Sequence, residues 1–321
     1  MKEEKKKEHP ALSPEALLAK ARVYVHRALK ARAEPDIDAY QLWAALSLEL
    51  LAKAALARLH PSLIVETSNP NSLLEACGID TGTPVRTIDA HLVFTRLKHA
   101  VPNFGTPIAE ASKSLASRRN AELHSGQAAL AGMPLDSWEG DFWSASQLIL
   151  DSMHLDLDNW LGPAAKEPKQ FLAHLQEAKS RAATQRIAHA AEMFTVGPDG
   201  KKRSKKEQDE LREKSQSLMA WMLNEGFRYH ADERWSCECP ACHSKAFLGG
   251  DRIYTEPLDD QDGVEPGMEA VEIGYSPNEF YCPTCQLHLV GGEALAAAEM
   301  GEIHEVQDER EIEYEPDYGN D

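Results

Sequence analysis

Two Cys-Pro-x-Cys steps, Cys239-Pro240-Ala241-Cys242 and Cys282-Pro283-Thr284-Cys285, constrain the fold of this chain more than anything else in it. A gap of two residues lets one tight turn present both sulfurs to a single point. Two such turns complete a tetrahedral shell of thiolates at about 2.3 Å from an ion such as Zn2+. The chain from 235 onward must therefore fold back until both turns meet. Short β-type runs broken by Gly and Pro (246–254, 270–275, 280–281, 288–290) supply the means, and residues 233–298 read as a small β-rich zinc ribbon. Thirty-nine residues separate Cys242 from Cys282, so the ribbon must carry an acidic inserted loop. A filled four-thiolate shell has no open position for water, which makes the ion structural and not catalytic. Cys237 is an alternative ligand to Cys239, and His243 and His288 lie close enough in sequence to complicate the count.

Upstream the texture is helical. Ser13-Pro14 caps a first helix with apolar residues at Leu17, Leu18, Ala21, Val25 and Leu29. A second runs from Asp38 to Leu59 and stops before Pro61; a third spans Val85 to Val101; a fourth starts near Pro107. A fifth covers Pro134 to Leu161, with Trp138, Phe142, Leu148 and Leu155 on an inward stripe. Five helices with short connections form an antiparallel bundle over 13–162. Residues 163–232 read as a charged helical hairpin, Lys166 to Phe194 and Ser204 to Phe227, turning at Val196-Gly197-Pro198-Asp199-Gly200. The expectation is a mainly α chain: a short charged tail (1–12), bundle, hairpin, β-rich ribbon, and a loosely ordered acidic tail (299–321).

The net charge of -18 is unevenly placed. Residues 299–321 hold ten acidic groups against Arg310, and residues 255–272 hold seven with no Lys or Arg, so everything else carries about -2. Total charge thus does not exclude a nucleic-acid partner, and local patches decide. The densest basic patch is Lys201, Lys202, Arg203, Lys205 and Lys206, which serves equally as a solvated turn or as a track for a phosphate backbone. No apolar run approaches the roughly 18 residues of a membrane span, and no apolar signal region follows Met1, so a cytoplasmic location is expected. Cysteines paired as CxxC fit that reducing setting better as metal ligands than as disulfides.

One segment carries chemistry: Arg119-Asn120-Ala121-Glu122-Leu123-His124, followed by Ser125-Gly126, which can end the helix. An Arg five residues before a His is a cheap pattern, repeated at Arg86 and His91, where an apolar helix makes His91 an ordinary partly buried residue. Spacing alone fits an amphipathic helix with a solvated Arg118-Arg119 pair. On a regular helix Asn120 and His124 share a face, whereas Arg119 and His124 lie about 140° apart. A break after His124, or two copies pooling side chains across a two-fold axis, would bring them to one point.

In motif and helix order, residues 13–161 resemble the HEPN domain family, whose members carry the Arg, polar residue and His in the order of Arg119, Asn120 and His124. The helix around Leu46 to Leu56 also resembles the acidic and apolar second helix of that family. The resemblance implies a metal-independent endoribonuclease acting as a homodimer, with toxin or anti-phage defence roles and a regulatory or antitoxin partner. Arg119 would hold the phosphate, His124 would relay the proton, and Asn120 would orient them. Glu49 and Glu122 would support the site, with Arg118 and the Lys201–Lys206 patch on the RNA. The alternative is a catalytically silent dimerisation or binding bundle whose ribbon docks nucleic acid or a protein.

Overall fold

The computed structural model describes residues 9–196, 200–259, 261 and 263–312. Residues 1–8, the middle of the expected turn (197–199), Asp260, Asp262 and the acidic positions beyond 312 lie outside the described residues. The chain divides into two compact units, 1–178 and 179–321, and is mainly α with one antiparallel sheet. No described helix is long and apolar enough to cross a membrane.

The first unit is helical: α1 (Pro14–Ala33), α2 (Ile37–Leu59), α3 (Pro70–Ala76), α4 (Ala90–Ala100), α5 (Thr106–His124), α6 (Glu139–Ser152) and α7 (Leu157–Leu161). Ser13 accepts the Ala16 N–H at 3.3 Å, and Pro14 sits in the first turn, where a missing N–H leaves no bond unmade. α2 is the hub, with α1, α4, α5 and α6 all packed on it. Its alanines 44, 45, 52, 54 and 55 are buried around most of its circumference, which is how a helix must look when neighbours surround it. Phe94, Phe104, Phe142, Trp143 and Trp160 fill the remaining core. Glu139 is buried there and accepts from Tyr40 Oη and from Arg32 Nε, each at 2.7 Å, tying α6 to α2 and α1. Burial first, and the Glu139 carboxylate second, push the Tyr40 phenol far above its ordinary range.

Local chemistry redraws two expected helices. The periodic stretch from Val85 becomes helical only at Ala90, because Asp89 caps there by accepting from Leu92 N–H at 2.9 Å, while Thr87 bridges to Val65 in extended form. His91 is consequently exposed and bonded to Ser117 Oγ at 2.7 Å; it is not partly buried as its apolar neighbours suggested. The stretch from 134 to 161 is interrupted after Ser152: His154 adopts φ 58° and Asp156 opens α7 through a reciprocal cap with Asn159.

α8 (Lys166–Val196) runs from the first unit into the second, where Ala183, Ala190 and Phe194 pack against the cysteine-bearing core. α9 (Lys205–Ser215) follows, shorter than the expected helix from 204 to 227, with a 3-10 turn over Ala220–Gly226. The sheet comprises β1 (Glu233–Glu238), β2 (Lys245–Pro257), β3 (Met268–Tyr281), β4 (His288–Val290) and β5 (His304–Glu311), with α10 (Gly292–Ala296) before β5. β2 lies along one edge of β3, while β5 and β4 share the other, over 268–275 and 279–281 respectively. The pairing of β2 with β3 shifts register at Gly249/Gly250, and a Cβ on Gly250 would stand 2.6 Å from the Ser276 carbonyl oxygen. β5 replaces the loosely ordered chain expected after Met300. Its backbone completes the β3 ladder and Val306 packs with Val271, Ile273 and Tyr275, so its charge did not prevent order.

Candidate metal centre and candidate active site

The first cysteine turn joins β1 to β2 and the second joins β3 to β4. Because Phe247 stands opposite Tyr281 in the antiparallel register, both turns arrive at the same end of the sheet. The two turns are built alike. The His243 N–H donates to the Cys239 carbonyl at 3.0 Å and the Gln286 N–H to the Cys282 carbonyl at 2.9 Å. Closing each turn puts the residue after its second cysteine in the left-handed region, His243 at φ 59° and Gln286 at φ 62°. Ala241 N–H points at Cys239 Sγ at 3.4 Å, and Arg212 of α9 donates to the Cys242 carbonyl at 2.9 Å.

The four sulfurs of Cys239, Cys242, Cys282 and Cys285 lie within 4.8 Å of one another, a group that can hold a metal ion. Cys239 to Cys285 and Cys242 to Cys282 are both 3.6 Å apart. Sulfurs at the corners of a tetrahedron with about 2.3 Å arms stand about 3.8 Å apart, so the donor set fits one tetrahedral ion. Cys237 is not among them: it lies on β1 opposite Ala246, and burial pushes its thiol up to about 12. His243 pairs with Glu238 at 2.6 Å, and His288 with buried Glu279 at 2.5 Å, so neither imidazole joins the sulfurs.

In the helical unit the expected site residues are only partly assembled. α5 ends at His124, where the chain turns extended at Ser125 and its hydroxyl returns to the Ala121 carbonyl at 2.6 Å. Glu122 accepts the N–H of buried Leu130 at 3.2 Å and so pins the loop that follows. Arg119 turns inward and pairs with Glu49 of α2. Glu49 also holds Lys53 at 2.8 Å, and Lys53 donates to Thr87 Oγ1 at 3.1 Å. The side chains of Lys53, Arg119 and Glu49 are only 9%, 12% and 15% exposed, so two cations share one carboxylate in a mostly desolvated place. Arg119 Nε is buried and without a hydrogen-bond partner. That arrangement suits an incoming anion.

His124 is exposed, Asn120 is half-buried, and among the described residues no hydrogen bond joins either of them to Arg119. Within one chain, then, Arg119 and His124 are not brought to one point. Lys53 went unsuspected in the sequence. Its signal was there, since a Glu four residues ahead of a Lys is the favoured helical ion pair. In the basic patch Lys202, Lys205 and Lys206 are exposed, and Lys206 lies 4.0 Å from Glu210. Arg203 instead donates to the Phe194 carbonyl and stacks on the Phe194 ring, closing the end of α8.

Fold and sites define a helical unit with a charged α2/α5 cluster, followed by a sheet module organised around four cysteines. No family model, curated protein or solved structure matches the chain.

Proposed function

We propose that the helical unit is a metal-independent endoribonuclease of the HEPN type that works as a homodimer in the cytoplasm. The observation that carries this reading is the Lys53–Glu49–Arg119 cluster, which holds one uncompensated positive charge and an unpaired Nε donor within a few residues of an exposed imidazole. A scissile phosphate answers that excess charge. Arg119 would hold its nonbridging oxygens and offset the charge that builds on them. His124 would take the proton from the ribose 2′-hydroxyl as its oxygen bonds to phosphorus, and the partner subunit's His124 would protonate the departing 5′-oxygen. The products are a 2′,3′-cyclic phosphate and a 5′-hydroxyl, and DNA, lacking the nucleophile, is excluded. Asn120, on the face of His124, would orient it. Arg118, Lys202 and Lys205 would contact the strand.

In the second unit the ion is zinc, with a structural role, since four thiolates fill its shell. A defence or toxin role with a neutralising partner remains part of this proposal and follows from the resemblance alone. The decisive experiment incubates full-length protein with single-stranded RNA in chelator. Cyclic-phosphate ends are expected, and Arg119→Ala and His124→Ala should each cut cleavage about a hundredfold or more. Variants that cleave as well as the parent overturn the reading. One observation favours the second reading, a silent dimerisation or docking bundle: Arg119 is already satisfied by Glu49 while His124 points to solvent.

A further inference from the structure

Beside the charged cluster, α2, α5 and α6 enclose a cleft of about 100 Å3 lined by Leu48, Ser112, Arg118, Trp138, Asp141 and Phe142, with Ser114 and Ser137 among its remaining walls. Leu48 adjoins Glu49 on α2, and Arg118 adjoins Arg119 on α5, so cleft and cluster flank the same helix contact. Two groups at the cleft lack partners. Trp138 is 3% exposed, yet its indole Nε1 finds no acceptor, and Arg118 forms no hydrogen bond or ion pair among the described residues. A buried N–H without an acceptor is uncommon and costs about 1–3 kcal/mol, which an acceptor supplied by a ligand would recover.

The lining has a particular chemistry. It combines a cation, an acid, hydroxyls and a lone N–H donor with the apolar surface of Trp138, Phe142, Leu48 and Leu115. A bare anion meets the Asp141 carboxylate unfavourably, and a purely apolar ligand leaves the donors unmade. A planar heterocycle with donors and acceptors around its edge satisfies both. One water-sized group needs roughly 10–15 Å3 of such space, so the cleft takes about eight, the heavy-atom count of a pyrimidine base.

We propose that this cleft binds a pyrimidine base, seating the nucleotide next to the phosphate held by Arg119. As a subsite for cleavage the inference rests on the ribonuclease reading; as a nucleoside site it stands independently. Its test is made on the full-length chain without any cleavage assay, by titrating uridine and, separately, inorganic phosphate. Indole N–H resonances are followed by NMR, with the Trp138 signal identified by its loss in Trp138→Phe. Uridine should shift that signal saturably and phosphate should not, while Ser114→Phe, which fills the cleft from an exposed position, should weaken uridine binding at least tenfold with an unchanged thermal midpoint. A Trp138 signal that ignores uridine, responds as strongly to phosphate, or is unaffected by Ser114→Phe overturns the proposal. Uridine binding by a protein that leaves RNA intact sinks only the ribonuclease, whereas cleavage without uridine binding sinks only the base site.

Discussion

Gln41 is wholly buried on α2, and neither its amide nitrogen nor its oxygen has a hydrogen-bond partner among the described residues. A buried amide left unpaired costs about 1–3 kcal/mol, and an apolar side chain of similar size does not carry that penalty. Gln41→Leu should therefore raise the melting temperature of the helical unit by several degrees, read by calorimetry. Glu49 behaves in the opposite sense. Removing its charge strands Lys53 and Arg119 where little water reaches them, so Glu49→Gln should cost about 2–3 kcal/mol in chemical denaturation. Sequence exposed part of this site. The arginine, its histidine and the glutamate were legible as residue types at helical spacing. That Arg119 turns inward and His124 outward was not, because spacing gives the angle between two side chains but not which of them faces the core.

At the scale of elements, Glu279 of β3 is 1% exposed, accepts from Arg228 N–H at 2.7 Å and Tyr229 N–H at 3.0 Å, and pairs with His288 of β4. Burial alone would raise its pKa; the His288 bond and the two backbone donors outweigh that and hold it below its ordinary 4.5. A folded pKa below the unfolded one stabilises the fold above the unfolded value, and that stability is lost as pH falls through the folded one. Between pH 5 and 3 the sheet module should therefore lose stability in a way that Glu279→Gln reduces, visible as the difference between the two proteins in an acid melt. Helices were the most legible elements, since Ser13-Pro14 and the apolar stripes announced them. Edges were less so: Asp89 and Asp156 shortened helices that periodicity alone had extended, because a short polar side chain closing on a backbone N–H competes with the helix it would otherwise sit in. β5 was hidden entirely. Its acidic sequence reads as solvated chain, and only the open edge of β3 gives it a ladder to join.

At the scale of the molecule, the two units draw their stability from different sources. The helical unit has a continuous apolar core from Leu12 to Leu172, whereas the second unit gathers a smaller core around its cysteines. Binding of an ion there contributes folding free energy directly, since four crowded sulfurs have no comparable stabilising partner without one. A strong zinc chelator should accordingly abolish amide protection in β1–β4 while the helical signal of residues 14–161 persists, and native mass spectrometry of the untreated protein should show one zinc per chain. Loss of both units together would contradict this division.

By itself the sequence determined the helical first half, the four-sulfur centre and the residue types of a phosphate site, because capping, periodicity and the two-residue gap between cysteines are local rules. Only the tertiary structure decided that Lys53, Glu49 and Arg119 form one cluster, that an aromatic cleft lies beside it, and that an acidic segment becomes a strand. Each of those depends on which faces of distant elements meet, and burial is a property of the packed whole that no single stretch of chain encodes.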